Sequence, residues 1–143
     1  MKTEEEITRE QHFLLTNEAG IAAIAIGEGL TALRKTSIMQ RANSLYAFFS
    51  LSIGIERLMK LILIISYRNF NKNQFPQNGD LKKYGHNIHE LFCQCKIIAN
   101  EHNEHELYKD LASEAICNEI LMFLNDFAIR SRYYNLDVLT GMS

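Results

Sequence analysis

The chain has 143 residues, the usual length of one domain, and its 15 Lys and Arg against 17 Asp and Glu give a formal net charge of −2. This balance excludes a broad electrostatic attraction to nucleic acid, so any contact with a phosphate backbone has to be local. The content of one Pro and seven Gly excludes a disordered composition. The odd number of cysteines, three, excludes a framework in which every cysteine is paired in a disulfide. We therefore expect a single domain over residues 1–143 in the reducing cytoplasm.

The first predicted helix covers residues 5–33, and its middle is built from small residues. Gly20, Gly27 and Gly29 each lower helix stability by up to about 1 kcal/mol relative to Ala. Close approach of a neighbouring helix would compensate for this loss, so we expect tight packing along this segment. The acidic start of the chain lacks the pattern of a secretion signal.

The second predicted helix, over residues 37–67, is apolar around nearly its whole circumference. This pattern indicates burial on all sides and favours coverage of one side by a second subunit. Residues 45–65 are apolar enough to be considered as a membrane span, but three charges lie near their middle, Glu56 and Lys60 among them. Each would cost about 2.5–3.5 kcal/mol at the centre of a bilayer, so we expect a buried helix and no membrane partner.

The rest of the chain predicts one long loop and two further helices. Residues 69–84 contain the only Pro and many turn-forming residues. Asn87 and Glu90 have the spacing of a capping box at the start of a third helix, and a fourth helix is predicted over 105–134. Long helices without any alternating β pattern predict an all-α fold, an antiparallel four-helix up-down bundle with a short fifth helix as an option.

Two charged residues lie on one face of the second helix. Glu56 and Lys60 are spaced i, i+4, the favourable orientation for an ion pair, on a largely apolar surface. Buried charges need partners, so we expect polar groups from distant segments to meet them. One interpretation is a pair that fixes the register of the bundle, and the other is a functional polar centre.

The fourth predicted helix ends in a basic and aromatic cluster. Arg130 shares a stripe with Ile120, Phe123 and Phe127, which predicts that it points inward. In one interpretation Arg130 caps the last carbonyls or pairs with an acid. In the second interpretation, Arg130 and the tyrosines at 133 and 134 form the opening of a binding site, in which they contact the phosphate and the base of a nucleotide.

Three potential metal ligands project from one side of the third helix. His86, His89 and Cys93 could in principle bind zinc. Neither a second ligand pair at the spacing of a zinc finger nor a Glu beside a His pair at i, i+4 accompanies them. We interpret them as surface residues and predict no metal and no cofactor.

Three stretches together resemble the HEPN family of small helical proteins. They are IERLMK at 55–60, LKKYGHNIHEL at 81–91 and RSRYY at 130–134. The resemblance implies a bundle of four or five helices that often dimerises. The family includes toxin ribonucleases, phage-defence proteins, partners of nucleotidyltransferases and non-catalytic nucleotide-binding modules.

The ribonuclease members of that family share an Arg followed, after four to six residues, by a His. Here Arg130 has Asn135 at that spacing, and an amide does not exchange a proton near neutral pH. The resemblance therefore implies binding without catalysis, with no catalytic residues. If the protein is an enzyme, we expect a metal-independent endoribonuclease that uses Arg130 and His86.

The resulting expectation is a cytoplasmic, homodimeric, HEPN-like module of a bacterial defence or toxin-antitoxin system. It would bind a nucleotide, an RNA segment or a partner protein such as an antitoxin or a nucleotidyltransferase. Two alternatives stay open, a divergent ribonuclease toxin or effector and a purely structural dimerising bundle. The expected ligand-binding residues are Glu56, Lys60, His86, Asn87, Arg130, Tyr133 and Tyr134.

Overall fold

The computed structural model describes residues 7–102, 114–131 and 134–141, and every regular element within these ranges is helical. The expected all-α class is therefore confirmed. The helices are α1 (Arg9–Arg34), α2 (Arg41–Phe70), α3 (Asn78–Lys82), α4 (Ile88–Glu101), α5 (Glu114–Asp126), continued by a π-helical turn (Phe127–Ser131), and α6 (Tyr134–Leu139). The third helix expected from sequence is α4, the short α3 lies in the expected loop, and residues 105–113 of the expected fourth helix lie outside the described ranges.

α1 begins four residues later than the sequence pattern predicts. Thr8 is its N-cap and forms a reciprocal capping box with Gln11. The Gln11 backbone N–H donates to Thr8 Oγ1 over 3.1 Å, and the Thr8 N–H donates to Gln11 Oε1 over 3.0 Å. Because these two bonds satisfy backbone donors at the helix start, they define where the helix begins.

α1 and α2 form an antiparallel helical hairpin. Tyr46, near the start of α2, donates from Oη to Glu28 Oε2, near the end of α1, over 2.8 Å. Further along α2, Arg57 Nη1 donates to Glu18 Oε1 over 2.6 Å. Residue numbers that rise on α2 therefore pair with numbers that fall on α1, as an antiparallel pair requires.

The expected close approach of the hairpin helices occurs at one of the three glycines of α1. A Cβ at Gly29 would lie 2.6 Å from Leu51 Cγ and 3.0 Å from Leu51 N, so only glycine fits there without a shift. Gly20 and Gly27 face open space, where a Cβ would meet no atom within 4 Å. The prediction of tight packing is thus confirmed at Gly29 and wrong at the other two positions.

α2 and α4 run parallel, which an up-down connection between these two helices does not allow. His86, just before α4, contacts Glu56 in the middle of α2. At the other end, the rings of His102 and Phe70 lie 5.6 Å apart. α2 rises about 21 Å between Glu56 and Phe70, and residues 71–87 travel back along this length. That crossover segment is long enough to reverse the chain, and the sequence pattern did not predict its return path.

The core lies between α2, α4 and α5. At its centre are buried apolar side chains of these three helices, namely Leu51, Met59, Ile88, Leu91, Leu121, Leu124 and Ala128. The His89 N–H, near the start of α4, donates to Asn125 Oδ1 near the end of α5 over 3.4 Å. α5 is therefore antiparallel to α4 and closes the core.

The predicted inward stripe of the last helix is confirmed at Phe127, which is buried, and wrong at Ile120 and Phe123, which are more than half exposed. Leu121 and Leu124 are buried in their place. The chain then enters the π-helical turn, whose wider winding shifts the direction of every side chain that follows. The periodicity of an ordinary α-helix therefore placed Arg130 inward, and the structure leaves it exposed.

One helix among the described residues is long and apolar enough to cross a membrane by length and composition alone. It is α1, with a mean hydropathy of 1.2 over an 18-residue window, rather than the segment 45–65 considered from sequence. A single helix of this kind is a weak indication, because core helices of soluble proteins and signal sequences pass the same test.

Candidate ligand-binding site

Glu56 is the buried acidic centre of the site. It lies on the face of α2 that meets the crossover segment, and 8% of the residue is exposed. Lys60 Nζ, one turn further along α2, donates to Glu56 Oε1 over 2.8 Å. The i, i+4 pair predicted from sequence is therefore present, with the carboxylate largely shielded from water.

The crossover segment brings His86 and a backbone carbonyl to this pair. His86 Nδ1 lies 3.0 and 3.1 Å from the two carboxylate oxygens of Glu56. Lys60 Nζ also donates to the carbonyl oxygen of Gly85 over 2.7 Å. Gly85 adopts a φ of +52°, a conformation that favours glycine. At this turn the Gly85 carbonyl and the His86 side chain both contact α2.

The arrangement presents an oriented imidazole to solvent. The side chain of His86 is 60% exposed, compared with 11% for Glu56. When Nδ1 carries a proton it donates to the carboxylate, and Nε2 remains available as an acceptor for a ligand. A neighbouring carboxylate that holds one ring nitrogen in this way determines the orientation of the ring.

The structure brings together three of the seven predicted site residues, Glu56, Lys60 and His86. Asn87 acts as the N-cap of α4, where its Oδ1 accepts from the Glu90 N–H over 2.9 Å, as the capping-box spacing predicted. Its role in the structure is therefore to begin the helix that follows the site.

Of the predicted basic and aromatic cluster at 130–134, Arg130 is placed differently from the inward position that the sequence predicted. Arg130 is exposed in the π-helical turn. Within the part of the chain that the structure describes, the ion-pair partners of Glu56 are Lys60 and His86, and Arg130 is not among them. Tyr134 is the first residue of α6, and Tyr133 lies outside the described residues.

The described residues contain no group of three or more His, Cys, Asp and Glu that could hold a metal ion. All three cysteines are free thiols. Cys95 lies on the inner side of α4, with Sγ 3.8 Å from the Met59 carbonyl oxygen. Burial raises the pKa of its thiol to about 11, so it stays protonated and unreactive near neutral pH.

A cavity of about 290 Å³ lies beneath the crossover segment, beside the site, and sequence reasoning missed it. Its walls include Tyr67 and Phe70 of α2, Pro76, and Tyr84, which immediately precedes Gly85. Its volume is close to the lower limit of small-molecule sites, about 300 Å³. The available signal was the mixture of aromatic and turn-forming residues over 69–84, which we interpreted as a loop.

Comparison of the chain with protein-family models, with curated proteins and with solved structures finds no match. The resemblance to the HEPN family stated from the sequence motifs therefore stays a prediction.

Proposed function

We propose that this protein is an HEPN-like helical bundle that binds a nucleotide or a short RNA segment at His86 and does not catalyse a reaction on it. The observation that carries the proposal is the oriented, 60% exposed imidazole of His86 held by the buried carboxylate of Glu56. Such a group offers a ligand one hydrogen-bonding nitrogen, Nε2, in a fixed direction.

The charge balance of the site supports recognition of a small anionic ligand. Lys60 neutralises Glu56 within a partly buried pair, so the site itself does not repel phosphate. Two exposed cations, Lys82 and Lys83, lie on the same crossover segment. Such a local cluster can attract phosphate although the protein as a whole is slightly negative.

A pair that served only to fix helix register would not require the imidazole. Lys60 already bonds Glu56 and, through the Gly85 carbonyl, ties the crossover segment to α2. A largely exposed His86 adds little stability to these Lys60 contacts, because exposed ion pairs contribute about 0–1 kcal/mol. Ligand recognition explains the exposure.

The binding experiment compares two histidines that differ in their contact with Glu56. Fluorescence anisotropy with labelled single-stranded RNA and with ATP and GTP should show that His86→Ala weakens binding about tenfold, the loss of one hydrogen bond. His89→Ala is the matched control, because His89 is exposed three residues away and should bind normally. Equal behaviour of the two variants would contradict the proposal.

The biological setting we propose is a bacterial defence or toxin-antitoxin system in which the protein acts as a homodimer. An antitoxin or a nucleotidyltransferase is the proposed protein partner. The support is the motif resemblance together with the apolar surface of α1, where Phe13, Leu14 and Ile24 are each more than half exposed.

Light scattering after gel filtration tests the homodimer. We expect twice the chain mass of 16.5 kDa for the unmodified protein and a monomer for Phe13→Glu with Ile24→Glu. Ile116→Glu with Leu139→Glu replaces two comparably exposed side chains elsewhere and should leave the dimer intact. A monomeric unmodified protein would exclude the homodimer.

The second candidate function is that of a metal-independent ribonuclease, favoured by the Glu56–His86 contact. A carboxylate that orients an imidazole is an arrangement suited to general acid or base catalysis. In this case His86 would replace the histidine whose position Asn135 occupies, and Arg130 would stabilise charge. Cleavage of a panel of RNAs in EDTA that is lost in both His86→Ala and Arg130→Ala would replace the binding-only proposal.

A purely structural dimerising bundle is the remaining alternative. Reversal of charge at Lys82 and Lys83 tests it, because both side chains are exposed beside the site. Under the binding proposal this double variant weakens RNA binding and reduces its dependence on salt. A protein that bound none of the probes at any salt concentration would instead support the structural role.

A further inference from the structure

The connection between α1 and α2 exposes two large apolar side chains completely. Ile38 is 101% exposed and Met39 is 94% exposed, the two highest values among the large apolar residues of the described chain. Both lie in the short turn between Arg34, the last residue of α1, and Arg41, the first residue of α2. Side chains at the end of a long hairpin can reach a flat surface that the helices themselves do not touch.

Exposed cations surround this apolar pair. Arg34 and Lys35 precede it, Arg41 follows it, and all three are exposed. The sequence contains no Asp or Glu between Glu28 and Glu56. No acidic residue is therefore a close neighbour of these cations along the chain. The tip therefore combines aliphatic side chains with a local positive charge on a protein whose net charge is −2.

This combination matches the interface of an anionic lipid bilayer. Aliphatic side chains enter the boundary between headgroups and acyl chains, while cations beside them remain at the level of the headgroup phosphates. RNA fits the tip less well, because sequence-tolerant RNA binding relies on aromatic rings on which successive bases stack, and residues 34–41 include no aromatic side chain.

We propose that the α1–α2 tip, residues 34–41, docks this protein on anionic membranes as a peripheral contact. The inference goes beyond nucleotide or RNA binding at His86 and uses a different part of the molecule. It also departs from the expectation of no membrane partner, which rested on charges that oppose a membrane span. A tip that inserts two side chains does not require a spanning helix.

Sedimentation with vesicles tests the apolar part of the proposal. The full chain should bind vesicles of phosphatidylserine and phosphatidylcholine and should not bind phosphatidylcholine alone. Ile38→Ser with Met39→Ser should lower the partition coefficient about 100-fold or more, because two buried aliphatic side chains are lost. Ile116→Ser with Leu139→Ser removes two other exposed apolar side chains and should bind normally.

A second pair of variants tests the electrostatic part. Arg34→Gln with Lys35→Gln should lower the partition coefficient about 25-fold, since each cation near an anionic surface contributes about fivefold. Arg9→Gln with Lys72→Gln changes the net charge equally at exposed positions away from the tip and should have a much smaller effect. Equal losses for the two pairs would indicate attraction by net charge alone and would overturn the proposal.

A fluorescent reporter tests insertion directly, because the chain contains no Trp. The indole introduced by Met39→Trp should shift its emission to shorter wavelength with anionic vesicles and be quenched by brominated acyl chains. The indole of Ile116→Trp should do neither. Circular dichroism establishes that each variant retains the helical fold.

Two other partners of the tip would give distinguishable outcomes. If Ile38→Ser with Met39→Ser converts a dimer to a monomer and leaves vesicle binding unchanged, the tip is a contact between copies of the chain. If Arg34→Gln with Lys35→Gln abolishes RNA binding while no variant affects vesicles, the cations bind RNA. Either result would overturn the proposal, and neither depends on the outcome at His86.

Discussion

At the residue scale, Glu56 is the side chain on which the local arrangement depends. Its carboxylate is the common partner of Lys60 and His86. The side chain of Glu56 is 11% exposed, compared with 25% for Lys60 and 60% for His86. The removal of Glu56 takes a bond from both Lys60 and His86. The removal of His86 leaves Glu56 still paired with Lys60.

We therefore expect the two ends of the Glu56–His86 contact to respond differently to mutation. Glu56→Ala should lower the free energy of unfolding by about 1–3 kcal/mol, since Lys60 then keeps only the Gly85 carbonyl. His86→Ala should cost less than about 1 kcal/mol, because the imidazole is largely exposed. Urea denaturation measures both, and equal losses would show that the burial of Glu56 does not govern the stability of the site.

The thiol of Cys95 provides a second test at this scale. Burial raises its pKa from the ordinary value of 9.0 to about 11, which lowers its thiolate fraction at pH 8 by about 100-fold. Alkylation followed by mass spectrometry at pH 8 should therefore modify the exposed Cys93 well before Cys95. Rapid modification of Cys95 in the folded protein would contradict the burial of this residue.

The same shift has a defined effect on stability. The folded state holds the Cys95 proton more tightly than the unfolded chain, so the folded protein binds more protons at high pH. The contribution of the Cys95 proton to the free energy of unfolding is fully present below pH 9 and is lost as pH rises from 9 to about 11. A Cys95→Ala variant should lack this part of the alkaline decline in the free energy of unfolding.

At the scale of elements, the close packing of α1 on α2 depends on glycines at two positions. A Cβ at Gly54 would lie 2.7 Å from Ile26 Cγ1 and 2.9 Å from its backbone nitrogen, and a backbone cannot yield as a flexible side chain does. The contact at Gly29 involves the Leu51 side chain and backbone in the same way. The hairpin therefore has two sites where only glycine fits.

Gly54→Ala and Gly27→Ala should change stability in opposite directions. We expect Gly54→Ala to lower the free energy of unfolding by about 1–3 kcal/mol through overpacking. Gly27 is an exposed residue in the middle of α1, where a Cβ would meet no atom within 4 Å, so Gly27→Ala should raise stability by up to about 1 kcal/mol. Thermal denaturation compares the two, and a loss of stability in both variants would show that α1 packs elsewhere.

The sequence predicted the helices better than the faces they bury. The capping spacing of Asn87 and Glu90 located the start of α4 correctly, because caps depend on neighbours along the chain. The buried face of α5 was misjudged by one residue at Ile120 and Phe123, because residues 120–124 are all apolar and only the contacts of the core select Leu121 and Leu124. Arg130 was placed inward by the α-helical period, which the π-helical turn interrupts, and is exposed.

At the scale of the whole molecule, the net charge of −2 limits how RNA can bind. The exposed lysines beside the proposed site are Lys82 and Lys83. Phosphate contacts from both predict a slope of log K against log salt of about −1.4 for single-stranded RNA. A much steeper slope in a salt titration would indicate a broad basic surface and contradict a local site.

The path of residues 71–87 is the main feature of the molecule that the sequence did not predict. Its turn-forming residues indicated a loop, and nothing in their order indicates that the loop returns along α2. That return makes α2 and α4 parallel and brings His86 to Glu56. The site and the neighbouring cavity both depend on this path.

The sequence by itself determined the helical class, the approximate positions of α1, α2 and α4, and the i, i+4 pairing of Glu56 with Lys60, because these follow from interactions between residues close along the chain. Only the tertiary structure decided that His86 meets this pair, that Arg130 stays exposed and that α2 and α4 are parallel. Those features depend on the route of a connection and on contacts between distant segments, which local periodicity does not encode.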